Sequence, residues 1–200
     1  MCFLFGNVDR IENLSYSIYV RNDKGGLMDT FYPVVPTVPD EGSKLPRYAH
    51  EGDAAVDLVA TEDVTLMPGE WKKVGSGVSC AIPQGFVGIV VPRSGLGCKG
   101  LVLKAGCGII DSGYRGEIGL TLYNNNPTGI WKMIKGIFAL TFTSGGREEP
   151  EGTIHVRRGD RVAQMLILPV AEATFLQVSS LDETERGLGS FGSSGIRERL

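Results

Sequence analysis

The sequence predicts an all-β domain, a sandwich or a barrel, and two observations carry that expectation. From Ala54 to Val178, short β-favouring runs are cut by Pro, Gly and Asn at intervals of about 8 to 12 residues, a spacing that favours stacked or closed antiparallel sheets over alternating βαβ units. Residues 117–123 alternate as Glu-Ile-Gly-Leu-Thr-Leu-Tyr, the period-two pattern of a half-buried strand.

Taken in order, residues 1–32 form an N-terminal extension with weak alternation ("LSYSIYV") that ends in the polar "RNDKGG". It reads equally as an extra strand, a loose arm or an over-extended start, with Met28 as an alternative initiator. The main β domain spans 33–180, and its expected strands are AAVDLVA (54–60), VTLMPGEW (64–71), VSCAIPQGFVGIVVP (78–92), IGLTLYNN (118–125), VAQMLILPV (162–170) and TFLQVSS (174–180). Ser112-Gly113 is a turn dipeptide, so residues 107–123 read as a hairpin whose turn is flanked by Asp111 and Tyr114. Residues 127–152 combine an apolar block with "TSGGREEPEG" and look like a loop insertion holding one short helix or hairpin. Residues 181–200 form a glycine-rich arm ending in mixed charges.

Composition narrows the function. A chain of 200 residues suits one sizeable core, and 42% hydrophobic with 22% charged residues is the make-up of a soluble globular protein. The net charge of −3 gives no global attraction to nucleic acid, so an anionic ligand must be met by a local arginine cluster. Cys2, Cys80, Cys98 and Cys107 contain no CxxC pair and have only His50 and His155 to assist them. They read as reduced, buried thiols rather than a zinc site. No apolar run reaches the roughly 18 residues of a membrane span, and "MCFLFGNVDR" lacks the pattern of a signal peptide, which places the chain in the cytoplasm.

Three segments carry polar chemistry. In Pro92-Arg93-Ser94-Gly95-Leu96 the proline ends a strand, and a guanidinium, a hydroxyl and free amides follow. Gly159-Asp160-Arg161-Val162-Ala163-Gln164 opens another strand. The tail sets Arg186 before its glycines, Phe191 among them, and Ser193 and Ser194 behind, a set able to wrap oxyanions and stack on a base. It is no P-loop, because GxxxxGK[ST] is absent. Singly, each has a plain structural reading as a strand cap, a surface ion pair or a flexible linker. Asp111, placed after two isoleucines, could equally cap its own turn.

Together with "AAVDLVA" and "GIIDSGYRGEI" (108–118), the segments "PRSGL", "GDRVAQML" (159–166) and "RGLGSFGSSG" (186–195) resemble the five ordered motifs of the trimeric dUTPase family. The resemblance implies an all-β, jelly-roll-like (β-clip) subunit in a homotrimer, with sites at subunit interfaces and a C-terminal arm that closes over a neighbouring site. It implies hydrolysis of dUTP with Mg2+ as cofactor. Asp111 would be the general base, with Gly106 and Ile109 reading the base through the backbone and Tyr114 lying under the deoxyribose. Arg93, Ser94, Gly95, Gln164, Arg186, Gly192, Ser193 and Ser194 would hold the triphosphate, and Phe191 would stack on uracil. Asp57 would act on the metal through water or orient an arginine such as Arg161. The arm departs from the family pattern at Ser190 and Ser194, and Ala105 stands where some members carry an asparagine. A dCTP deaminase of the same fold is the rival enzyme. A protein-binding regulator using 127–152 is the rival from another class, and neither nucleic acid nor membrane is expected as a partner.

Overall fold

The computed structural model describes residues 17–21, 27–31, 33–127, 149–184 and 186–189. Its elements are β1 (Ser17–Arg21), β2 (Leu27–Phe31), β3 (Thr37–Pro39), β4 (Val56–Val59), β5 (Val64–Leu66), β6 (Trp71–Cys80), β7 (Phe86–Pro92), α1 (Ser94–Gly97), β8 (Leu101–Leu103), β9 (Gly108–Ile110), β10 (Glu117–Asn124), β11 (Ile154–Val156) and β12 (Arg161–Pro169). One four-stranded sheet has the order β3-β6-β10-β8 and the other β4-β12-β7-β9; β11-β5 and β1-β2 are two-stranded. Every ladder is antiparallel.

Strand alternation builds the core. On β10, Ile118, Leu120 and Leu122 are at most 1% exposed, while the intervening Gly119 and Thr121 are not buried. They pack in one cluster with Val74 and Val78 of β6, Leu58 of β4, and Val162, Ala163 and Met165 of β12, so the two large sheets share a single core. This is the all-β, jelly-roll-like architecture expected from the sequence.

The connectivity corrects three local expectations. From β6 to β10, each strand lies in the opposite large sheet from the one before it. Residues 107–123 are therefore not a hairpin: β9 pairs with β7, β10 pairs with β6 and β8, and the turn at 111–116 crosses between the sheets. The turn itself exists, closed by Tyr114 N–H to Asp111 O at 3.0 Å. The run TFLQVSS is not a strand; it follows the end of β12 without pairing into a sheet, with Phe175 95% exposed. Of the described cysteines, Cys80 is buried, but Cys98 and Cys107 are exposed, because both fall in turns rather than on an inward strand face. Cys2 lies outside the described residues. The extension reads as a strand pair, β1 with β2, while 128–148 of the insertion lie outside the described residues.

A buried amide closes the neck of that insertion. Asn124 is 0% exposed and donates to Leu66 O at 2.9 Å and Gly152 O at 2.8 Å. Its Oδ1 accepts from Asn126 N–H, and Asn126 donates to Gly152 O and Lys99 O. The two stems of the loop are thus tied to each other and to β5.

Candidate active site

The phosphate-binding candidates gather on one face of the sheet β4-β12-β7-β9. Gln164 stands in register with Asp57 on β4 and Val91 on β7, on the face opposite the buried Leu58, Ala163 and Met165. Arg161 and Gln164 are three apart and would face opposite sides of a regular strand. A register shift between Arg161 and Ala163 inserts the extra residue that turns Arg161 to the Asp57 side. There Asp57 receives two guanidinium groups: Arg161 Nη1 lies 3.0 Å from Oδ2 in a hydrogen bond, and Arg93 Nε lies 3.0 Å from Oδ1 in an ionic contact without hydrogen-bond alignment. Arg93 also donates to Arg161 O at 3.1 Å. The Asp57 side chain is only 11% exposed, so it is an internal brace that aims two cations outward.

Pro92 ends β7, and α1 begins at once. Leu96 and Gly97 N–H bond to Arg93 O, so the amides of Ser94 and Gly95 lie ahead of the first helical hydrogen bonds. Both residues are exposed, and a Cβ on Gly95 would meet nothing within 4 Å. Cavities of about 570 and 470 Å3 flank the group, the first lined by Arg93, Lys99, Arg161 and His155, the second by Arg47, Tyr48, Asp57 and Arg161.

The base-reading candidates lie elsewhere. β9 runs antiparallel to β7, with Gly108 opposite Val90 and Ile110 opposite Gly88. Asp111 therefore falls beside the start of β7, whereas Arg93 follows its end. Six residues of strand at about 3.3 Å each put roughly 20 Å between them. One chain does not bring Asp111 to Arg93 and Gln164. Instead β9 is a sheet edge that presents Ile109 (57% exposed) and Tyr114 (43% exposed), with Asp111 also exposed. Gly106 has φ +80° in the turn that precedes β9, a conformation natural to glycine.

Sequence reasoning passed over what holds this edge. Tyr114 Oη donates to Glu117 O at 2.9 Å, and the glycine at 116 makes room for it, since a Cβ there would lie 2.5 Å from that oxygen. The Glu117 carboxylate in turn accepts from Gly77 N–H at 2.8 Å. No local pattern marks a contact between residues 40 apart. Arg115 folds back on Ser112 O and Tyr114 O. Burial pushes the Cys80 thiol up from its ordinary range, and Arg115 pulls it weakly the other way.

Of the arm, Arg186 is described: its Nε donates to Gly189 O at 3.1 Å in a local turn. Phe191, Gly192, Ser193 and Ser194 lie outside the described residues. Among the described residues, no group of three His, Cys, Asp or Glu could hold a metal ion, and no helix is long and apolar enough to cross a membrane.

With this geometry in view, comparison with known proteins is decisive. The family model described as dUTPase matches residues 41–131 and 149–195. A deoxyuridine 5'-triphosphate nucleotidohydrolase of Cutibacterium acnes is 43% identical over 164 residues, covering 82% of this chain and 92% of the relative. Among solved structures, a mutant dUTPase of Staphylococcus bacteriophage 80alpha with dUpNHpp superposes with a TM-score of 0.69 at 27% identity, covering 82% of this chain and all of the other. A mutant dUTPase from phage phi11 of S. aureus, solved for the coordination of a structural Mg(II) ion, superposes with a TM-score of 0.61 at 26% identity over 76% of this chain and 100% of that one. The fold and these matches define the class, an all-β nucleotide hydrolase. The chain belongs to the dUTPase family.

Proposed function

We infer that the protein hydrolyses dUTP to dUMP and pyrophosphate, limiting uracil incorporation into DNA and supplying dUMP for thymidylate synthesis. One observation supports the site assignment: the cationic face around Asp57 and the exposed edge around Asp111 lie about 20 Å apart in a single chain, and we read them as two halves of one site. A neighbouring copy would bring the halves together, and the homotrimer implied by the family resemblance is an assembly that does so. Closed cyclic symmetry allows each interface to pair the cationic face of one subunit with the β9 edge of the next.

In this site Asp111 orients a water and takes its proton as the oxygen attacks the α-phosphorus, with pyrophosphate leaving in line. Gly106 and Ile109 meet the base with main-chain groups. Uracil offers an O4 acceptor and an N3–H donor, and cytosine reverses both, which leaves buried polar atoms unpaired at about 1–3 kcal/mol each. The tethered Tyr114 ring lies against the deoxyribose and leaves no space for a 2'-hydroxyl. Arg93, Ser94, Gly95 and Gln164 hold the phosphates, and Arg186, Gly192, Ser193, Ser194 and Phe191 close over them.

The donor set fits a Mg2+ ion carried by the triphosphate and its waters rather than a protein cage. Both Asp57 oxygens already face guanidinium groups, which leaves that carboxylate a water-mediated role. When bound, the ion neutralises phosphate charge. The cytoplasm, where deoxynucleotides are made, is the proposed setting.

The test is pyrophosphate release from dUTP, dTTP, dCTP and UTP with Mg2+. Strong preference for dUTP is expected. Comparable turnover of all four would reject the pocket, and deamination of dCTP would replace hydrolysis by the rival chemistry.

A further inference from the structure

Residues 104–107 join β8 to β9 and are exposed, and Gly106 sits at the open side of the turn with nothing within 4 Å of where a Cβ would stand. One internal bond, Gly106 N–H to Leu103 O at 3.0 Å, closes the turn. After it, β9 is fixed to β7 by three registered pairs. Before it, β8 is paired with β10 as far as Leu103, and Lys104 adds two further ties. Its N–H donates to Thr121 O at 2.7 Å, which extends the β8–β10 ladder by one residue. Its ammonium lies 4.1 Å from the centroid of the Tyr123 ring.

Tyr123 is a firm support. It stands in register between Trp71 of β6 and Val102 of β8, in the middle of a three-strand row. A lysine side chain has high rotamer freedom, and an exposed ammonium gains nothing by lying on a sheet unless an aromatic face attracts it.

We propose that Lys104 and Tyr123 form a positioning pair that holds the 104–107 turn in the conformation that receives the pyrimidine base. The pair acts on affinity and base selectivity, not on the chemical step. The inference rests on the assignment of this turn to the base. Neither residue belongs to the proposed phosphate-holding set, and neither is the proposed base. Loss of the pair costs preorganisation of the turn, and the cost cannot exceed the strength of the contact itself, a factor of about two to five in an equilibrium constant.

The experiment compares Lys104→Met, Tyr123→Leu, the double variant, and the conservative Lys104→Arg and Tyr123→Phe. Steady-state turnover of dUTP and dCTP is measured, along with calorimetric binding of dUpNHpp. Lys104→Met and Tyr123→Leu are expected to raise KM and the dUpNHpp Kd about two- to fivefold, to leave kcat within about twofold, and to narrow the dUTP-over-dCTP ratio. Arg and Phe, which keep a cation on a ring, should restore wild-type values, and the double variant should be no worse than the worse single. Wild-type KM in Lys104→Met, additive effects, Phe behaving like Leu, or a fall in kcat at constant KM would each overturn the pair. If Tyr123→Leu does not fold, the exposed Lys104→Met decides alone. Failure of the underlying assignment would look different: the wild-type enzyme itself would not distinguish dUTP from dCTP.

Discussion

Asp57 and Asp111 show how burial separates two carboxylates with unlike work. Asp57 is nearly enclosed and sets both oxygens against Arg93 and Arg161, so its charge is structural and holds the two cations proposed to meet the phosphates. Asp111 is exposed at the end of an edge strand, where the carboxylate can face a water and a phosphorus atom. Replacing it with asparagine keeps size and polarity but removes the proposed base. Turnover of dUTP by Asp111→Asn is expected to fall about 10²–10⁴-fold while dUpNHpp binding persists in calorimetry. Gly116 is the second residue whose identity decides something. A methyl group there would collide with Tyr114 Oη and displace the ring from Glu117 O. Gly116→Ala should therefore raise the turnover of UTP relative to dUTP; an unchanged ratio would mean that the Tyr114 ring does not guard the sugar.

Among the elements, what local pattern records was legible and what distance creates was not. The strands at 56–59, 64–66, 86–92, 117–124 and 161–169 were legible because alternation and turn residues are local properties. Their partners were not. Ser112-Gly113 marks a turn correctly, but no residue in it specifies that the chain on either side lies in different sheets. TFLQVSS has the composition of a strand without a partner in its own chain. At the site, the resemblance picked out the segments that carry Arg93, Arg161 and Gln164 and offered Arg161 as an arginine that Asp57 could orient, a contact the structure contains, whereas the bulge that turns Arg161 and the Glu117–Gly77 tether are long-range features no local pattern records. Asn124 belongs to this scale too, because it ties β5, β10 and both stems of the insertion. Asn124→Leu would remove the side-chain donor from Leu66 O and the acceptor from Asn126 N–H, while Gly152 O keeps its bond from Asn126, at a cost of about 2–5 kcal/mol. Urea unfolding at fixed protein concentration should show the loss, and a change below about 0.5 kcal/mol would deny the clamp its role.

For the whole molecule, exposure is the informative quantity. Beyond the Val170 N–H bond to Gly85 O, the chain carries Phe175, Leu176, Val178 and Leu181 at 54% exposure or more. Four exposed large apolar side chains within seven residues call for a cover, and the neighbouring subunits of the proposed trimer would supply one. Ending the chain at 170 should lower the mass seen by light scattering from that of a trimer; an intact trimer would place the contacts elsewhere. The same logic governs the proposed active site, whose two halves lie too far apart in one subunit to act together. The most direct test mixes Arg93→Ala and Asp111→Asn subunits, each inactive as a homotrimer, by unfolding and refolding them together. A site that takes Asp111 from one subunit and Arg93 from its neighbour should recover, at equal mixing, roughly a quarter of wild-type activity. If the mixed trimers stay as inactive as their parents, the site is not shared between subunits in this way.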